Sequence, residues 1–100
     1  MTQAFQPSGP AVVSSNNATQ EIITLPMGLG YTYRFQNEST APVYIKFGNT
    51  ASLTNTPVSS TSFHAKLPAG IVELFGTDET MTHVGIIGGS TVTITGGRGI

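Results

Sequence analysis

The chain has 100 residues, of which 38% are hydrophobic and only 9% charged, and its formal net charge is −1. That length makes one domain with a single core, burying roughly 60–70% of the surface that the unfolded chain exposes. Four scattered basic residues (Arg34, Lys46, Lys66, Arg98) make no nucleic-acid patch, no apolar run reaches the roughly 20 residues of a membrane span, and cysteine chemistry is excluded by the absence of cysteine.

The missing charge is replaced by Thr, Ser, Asn and Gly. With little net charge and many β-branched residues, this composition reads as an ordered, β-rich domain with a neutral, hydroxyl-bearing surface. Residues 1–11 are polar and rich in Pro and Gly, with one aromatic at Phe5. They are expected to form an extended N-terminal arm, with residues 12–100 as the folded domain. The stretch MTQAFQPSGP has neither a basic nor an apolar segment of the kind that makes a signal peptide.

From there the chain alternates at period two, the pattern of half-buried strands. PAVVSS and TQEIITL come first, separated by Asn16-Asn17. In YTYRF, Tyr31, Tyr33 and Phe35 share one face; in VYIKF, Val43, Ile45 and Phe47 do. Asn37 to Pro42 separate the two, with Pro42 expected at the first position of its strand. Residues 49–62, NTASLTNTPVSSTS, read as a long polar loop with room for a short edge strand. A weaker strand signal surrounds TSFHAKL. IVELF and HVGII are uniformly apolar, as in strands covered on both faces, and STVTIT alternates again behind the turn Gly88-Gly89-Ser90. About eight short strands with no helical period predict an all-β, single-domain antiparallel β-sandwich, jelly-roll-like in its strand count.

Leu-Pro-x-Gly occurs twice, at Leu25–Gly28 and Leu67–Gly70. Each copy precedes a strand ending in Phe (Phe35, Phe75), an acidic turn (Glu38; Asp78, Glu79) and a second strand ending in Gly (Gly48, Gly88). The spacing predicts one strand–turn–strand unit laid down twice, as two Greek keys require. Pro26 and Pro68 would set each bend, and Gly28 and Gly70 would supply its left-handed residue.

Catalytic and metal chemistry find little to work with. His64 and His83 have no second histidine near them in sequence, and no serine lies in a Gly-x-Ser-x-Gly elbow. The terminal GGRGI has no helix after it, so it is not read as a phosphate loop, and Asp78-Glu79 lacks the further oxygen ligands of a calcium loop. Glu73, between apolar neighbours, is expected to pair across strands with Lys46 or Arg34. No catalytic residue, cofactor or metal site is expected. A sugar platform is the small-ligand alternative, but Tyr31, Tyr33 and Tyr44 lie within predicted strands, where core or sheet-face roles are favoured.

The segments YRFQNESTAPVYIKFGN, LPAGIVELFG and MTHVGIIGGSTVTITGGRGI, taken in order behind a Pro/Gly N-terminal segment, carry a family likeness. Together they resemble small virion proteins of tailed bacteriophages, in particular the capsid decoration (cement) proteins. The resemblance implies a jelly-roll β-sandwich made in the host cytoplasm that sits on the outer capsid surface, binds the major capsid protein and stabilises neighbouring subunits. It implies no enzyme activity, and no nucleic-acid or membrane partner. Related small β modules also occur in tails, fibres and head-tail connectors. Within this expectation, Phe5, Gln6 and Pro7 are the candidate partner-binding residues, and closed symmetry predicts a homo-oligomer, a dimer or trimer.

Overall fold

In the computed structural model the described residues are 6–7, 11–14, 19–25, 32–78, 80–89 and 91–98. Among them nine strands and one short helix follow in the order β1 (Gln6–Pro7), β2 (Val12–Ser14), β3 (Glu21–Thr24), β4 (Thr32–Asn37), β5 (Val43–Gly48), α1 (Thr50–Asn55), β6 (Ala65–Leu67), β7 (Val72–Gly76), β8 (His83–Ile87) and β9 (Val92–Arg98). The eight expected strands correspond to β2–β9, and β1 is an addition.

The strands form two antiparallel sheets. One has the order β1-β9-β4-β7, with β2 also on β9; the other has the order β3-β8-β5-β6. The pairing follows a simple rule: β2 lies on β9, β3 on β8, β4 on β7 and β5 on β6. The chain is therefore one long antiparallel ribbon, doubled back at the β5–β6 connection, whose successive strand pairs alternate between the sheets.

Alternation explains the core. Tyr33 and Phe35 of β4, Val43 and Ile45 of β5, Val84 and Ile86 of β8, and Val92 and Ile94 of β9 are all buried between the sheets. Ile23, Leu25 and Leu67 complete it, and Phe47, Ala65 and Phe75 pack against it. Phe35 meets Phe47 and Phe75 edge-on, with ring centroids 5.7 and 5.3 Å apart, the geometry that aromatic quadrupoles favour.

One buried side chain ties the turns together. Asn37, the last residue of β4, is fully buried. Its Nδ2 donates to Ala41 O (2.9 Å), Leu67 O (3.0 Å) and Pro68 O (3.2 Å). Its Oδ1 accepts from Ser39 N (3.0 Å) and Ser39 Oγ (2.6 Å). Its backbone joins the same corner, since Asn37 N donates to Ile71 O and Gly70 N donates to Asn37 O.

The second Leu-Pro-x-Gly forms the turn it predicts: Ile71 N donates to Pro68 O and Gly70 holds φ +76°. Pro26 to Gly28 of the first copy lie outside the described residues. Leu25 and Leu67 are both buried, and β4 and β7 turn Phe35 and Phe75 inward forty residues apart. The spacing fails for the second strand of each unit. In β5 the core positions are Val43 and Ile45, and in β8 they are Val84 and Ile86, one residue out of step with the forty. Gly48 and Gly88 are accordingly not equivalent, since Gly48 ends β5 while Gly88 sits in a turn at φ +89°.

Three expectations are corrected. Residues 49–62 contain α1, capped by Asn49, whose side chain accepts from Ser52 N while Asn49 N donates to Ser52 Oγ. Six residues are too few to show a helical period. IVELF is not covered on both faces: β7 is an edge strand, and Ile71 and Val72 are exposed at 42% and 43%. Glu73 pairs with neither Lys46 nor Arg34. It lies opposite Phe35 at the exposed rim of the core side, whereas Arg34 is on the outer face of its sheet and Lys46 on the other sheet.

Truncating Phe35 to Ala should destabilise the domain by about 3–5 kcal/mol. Phe75→Ala should cost clearly less, because Phe75 is only half-buried. Urea denaturation of the two variants side by side checks the ranking.

Candidate interaction surface

The two sheets differ in what their outer faces carry. On the β3-β8-β5-β6 sheet the outward residues include Ile22, Gly85, Lys46 and Tyr44, and the β5–β6 connection folds back over them. Leu53 of α1 is fully buried and Val58 is 2% exposed, yet neither belongs to the main core. Both are buried under the connection, and Gln20 bonds the backbone of each.

Gln20 holds that cover down. Its Nε2 donates to Leu53 O at 3.0 Å, and its Oε1 accepts from Val58 N at 2.9 Å. The amide lies close over Gly85, where an added Cβ would come within 2.3 Å of Oε1. A side chain at Gly85 would therefore push the Gln20 amide off its two partners. Lys46 Nζ donates to Thr56 O at 3.0 Å and to Ser62 Oγ at 3.3 Å. His64 extends the ladder past the last β5–β6 pair: its N donates to Ile45 O, and its Nδ1 accepts from Phe47 N at 3.0 Å. Beyond the cover, Phe63 packs on Tyr44 with centroids 5.0 Å apart, and Lys66 Nζ sits 5.6 Å above the Tyr44 ring. Phe63 remains 38% exposed.

The outer face of the other sheet has no such cover among the described residues. Register places Val13, Thr93, Gln36 and Val72 in one row across β2, β9, β4 and β7. Thr95, Arg34 and Leu74 form the next row. Val13 is 57% exposed and Val72 43%, while Thr93, Gln36, Thr95, Arg34 and Leu74 are half-buried. On the opposite side of the first row, Glu38 continues β4 with its N donating to Thr91 O, and its Oε1 accepts from Thr93 Oγ1.

No family model, curated protein or solved structure matches the chain. The functional reading therefore rests on the residues themselves.

Of the sequence-derived partner residues, Phe5 lies outside the described residues. Gln6 and Pro7 form β1, paired with Arg98 and Gly97 at the margin of the open sheet. Tyr31 is outside the described residues, Tyr33 is core, and Tyr44 is half-covered beneath Phe63 and Lys66. His64 is spent on the β5 ladder, and His83 Nδ1 bonds Thr82 Oγ1 at 2.7 Å. Among the described residues no three His, Cys, Asp or Glu side chains are grouped to hold a metal ion, and no helix is long and apolar enough to cross a membrane. The open face and the Tyr44–Phe63 pair were not singled out from sequence. The alternation in YTYRF and STVTIT separated Arg34 from Tyr33 and Phe35, and Thr93 and Thr95 from Val92 and Ile94, within each strand; the register of β4 on β9 puts the two sets on one face.

Gln20→Ala would leave Leu53 O and Val58 N without their partner and lift the cover. It should cost about 1–3 kcal/mol in a denaturant melt. Asp78 gives a pH signature. Thr80 Oγ1 and N donate to its carboxylate at 2.6 and 2.9 Å and hold its pKa below the ordinary value. A lowered folded pKa contributes stability above the unfolded value of about 3.9, lost as pH falls through the folded one. The stability gap between wild type and Asp78→Ala should therefore be level above about pH 5 and narrow below about pH 4 in thermal melts.

Proposed function

We propose that the protein is a capsid decoration (cement) protein that binds the outside of an assembled phage shell and stabilises neighbouring major capsid protein subunits. The observation that carries this reading is the pair of exposed apolar sites on opposite sides of the sandwich. One is the open sheet face with exposed Val13 and Val72; the other is the Phe63–Tyr44 pair beside Lys66. A bridging protein needs two such surfaces and works through area and repetition. The motif resemblance supports the same reading.

The fold fits as a jelly roll. Pairing β2 with β9, β3 with β8, β4 with β7 and β5 with β6 is the order a rolled antiparallel ribbon takes when it closes into two four-stranded layers. In this reading the N-terminal arm, with Phe5, Gln6 and Pro7, lies along the shell, and the chain self-associates as repeated lattices favour. The net charge of −1 lets many copies crowd together with little mutual repulsion. The role needs no catalytic residue, cofactor or metal.

The test is the copy number of the chain in purified particles, quantified by mass spectrometry against the major shell protein. Copies on the order of the shell subunits are expected. A handful per particle overturns decoration and moves the protein to a tail, fibre or connector. Deleting residues 1–11 should weaken co-sedimentation with shells while the melt stays cooperative; undiminished binding would remove the arm from the interface.

A further inference from the structure

Arg34 stands half-buried in the open sheet face, and among the described residues it makes no hydrogen bond or ion pair. Its neighbours across the strands are Thr95 and Leu74, neither of them a carboxylate. A guanidinium partly withdrawn from water without an anion is a group awaiting a partner, because it is suited to bidentate carboxylate recognition. Among the described residues the acid that continues this face is Glu38, four residues on from Arg34 and one past the end of β4. It cannot reach Arg34 along one strand, since that separation is about 13 Å at strand rise.

The pattern of the face supplies the answer. The row Val13–Thr93–Gln36–Val72 crosses the whole sheet. Arg34 lies two residues to one side of it and Glu38 two residues to the other, each about 7 Å away along the strand. A twofold axis laid along this row, perpendicular to the strands, sets a second copy face to face with the first. Under that rotation every residue of the row meets its own copy. Arg34 of each copy meets Glu38 of the other, so the pair forms twice. A twofold axis parallel to the strands keeps Arg34 at its own level and brings no acid to it. Only the first arrangement is self-complementary in charge.

We infer that the outer face of the β1-β9-β4-β7 sheet is a homodimer interface, related by a twofold axis along the Val13–Thr93–Gln36–Val72 row and closed by reciprocal Arg34–Glu38 pairs. Val13 and Val72 bury against their copies at the two margins. Gln36 meets its copy at the centre, where two amides can each donate and accept. Aligned packing of twisted sheets at about −30° accommodates the geometry. The contact spans four strands, about 15 Å across, and is smaller than the roughly 800 Å² per partner of standard interfaces. The inference deepens the self-association in the proposed function, and its test separates the two because it needs no shell.

Sedimentation equilibrium of the full chain from low to high micromolar concentration should show a monomer–dimer equilibrium. Arg34→Glu alone and Glu38→Arg alone should each raise Kd at least tenfold, while the double reversal should restore it to within about threefold of wild type. Since the chain contains no cysteine, Gln36→Cys should cross-link to its own copy on oxidation, whereas Thr32→Cys, away from the axis, should not. Thermal melts confirm that each variant is folded. A monomer at every concentration overturns the inference, as does a dimer indifferent to the charge reversals or one that cross-links equally through either cysteine. If wild type stays monomeric and Arg34→Glu abolishes shell binding, the face belongs to the shell and the homodimer is wrong. If the dimer behaves as expected and purified particles lack the protein, the interface stands and the decoration reading fails.

Discussion

The structure depends on what the Asn37 amide holds. A β-sandwich of short strands has its weakest points at the turns, where backbone carbonyls leave the ladders. At one corner three such carbonyls, of Ala41, Leu67 and Pro68, converge on a single buried NH₂ group, and Ser39 occupies the oxygen of the same amide. The β4–β5 turn belongs to one half of the ribbon and the β6–β7 turn to the other. One residue therefore clamps both halves at the same depth, fixing the register of β4 against β7 and of β5 against β6. No other side chain of this size does the task. An aspartate would face three carbonyls with no donor, and a leucine would strand every group that Asn37 satisfies, each at about 1–3 kcal/mol.

From that corner the rest follows by pairing outward. Once β5 meets β6 and β4 meets β7, the remaining strands extend the same ribbon, and β8 and β9 have only one free edge each to join. The long β5–β6 connection then has to go somewhere. It carries Leu53 and Val58, too apolar to leave in water, and the nearby sheet offers Gly85 and the start of α1 beyond Gly48 as a low platform. Gln20 completes the contact by satisfying a carbonyl from the helix and an amide from the loop at once. The cover of one sheet is thus a consequence of where the ribbon doubles back.

The strands were legible in the sequence because alternation is a direct record of a two-sided sheet. Tyr33 and Phe35, Val43 and Ile45, and Val92 and Ile94 all face inward as the pattern requires. What stayed hidden had physical reasons. The helix is six residues long, begins at an asparagine rather than the commoner Ser/Thr–Glu box, and buries only Leu53, so no period could reveal it. The exposure of β7 was concealed because Val72 and Ile71 look like core residues until the strand is known to lie at an edge. The repeat was half legible: the Phe35–Phe75 spacing survives in the fold, but a one-residue shift between β5 and β8 leaves Gly48 and Gly88 in different roles. The open face was the least visible feature, since its row of four residues comes from four separate strands and exists only once the register is set.

The edges explain why association should use that face. Among the described residues four edge strands carry a device against strand addition: Pro7 in β1, Glu21 in β3, Lys66 in β6 and Glu73 in β7; β2, which shares the outer edge of β9 with β1, carries none. Glu73 is the clearest, because it stands on the core side of an apolar edge strand, where an incoming strand would have to bury it. With these edges guarded and one outer face covered by its own chain, the other outer face is the broad surface left open among the described residues. That surface is neither a hydrophobic patch that would aggregate nor a charged one that would repel its neighbours. Thr93, Thr95 and Gln36 share it with Val13, Val72 and Leu74, and one cation and one anion sit at equal distances from its centre line. A surface so balanced binds weakly and specifically, and repetition rather than affinity is what would make it strong.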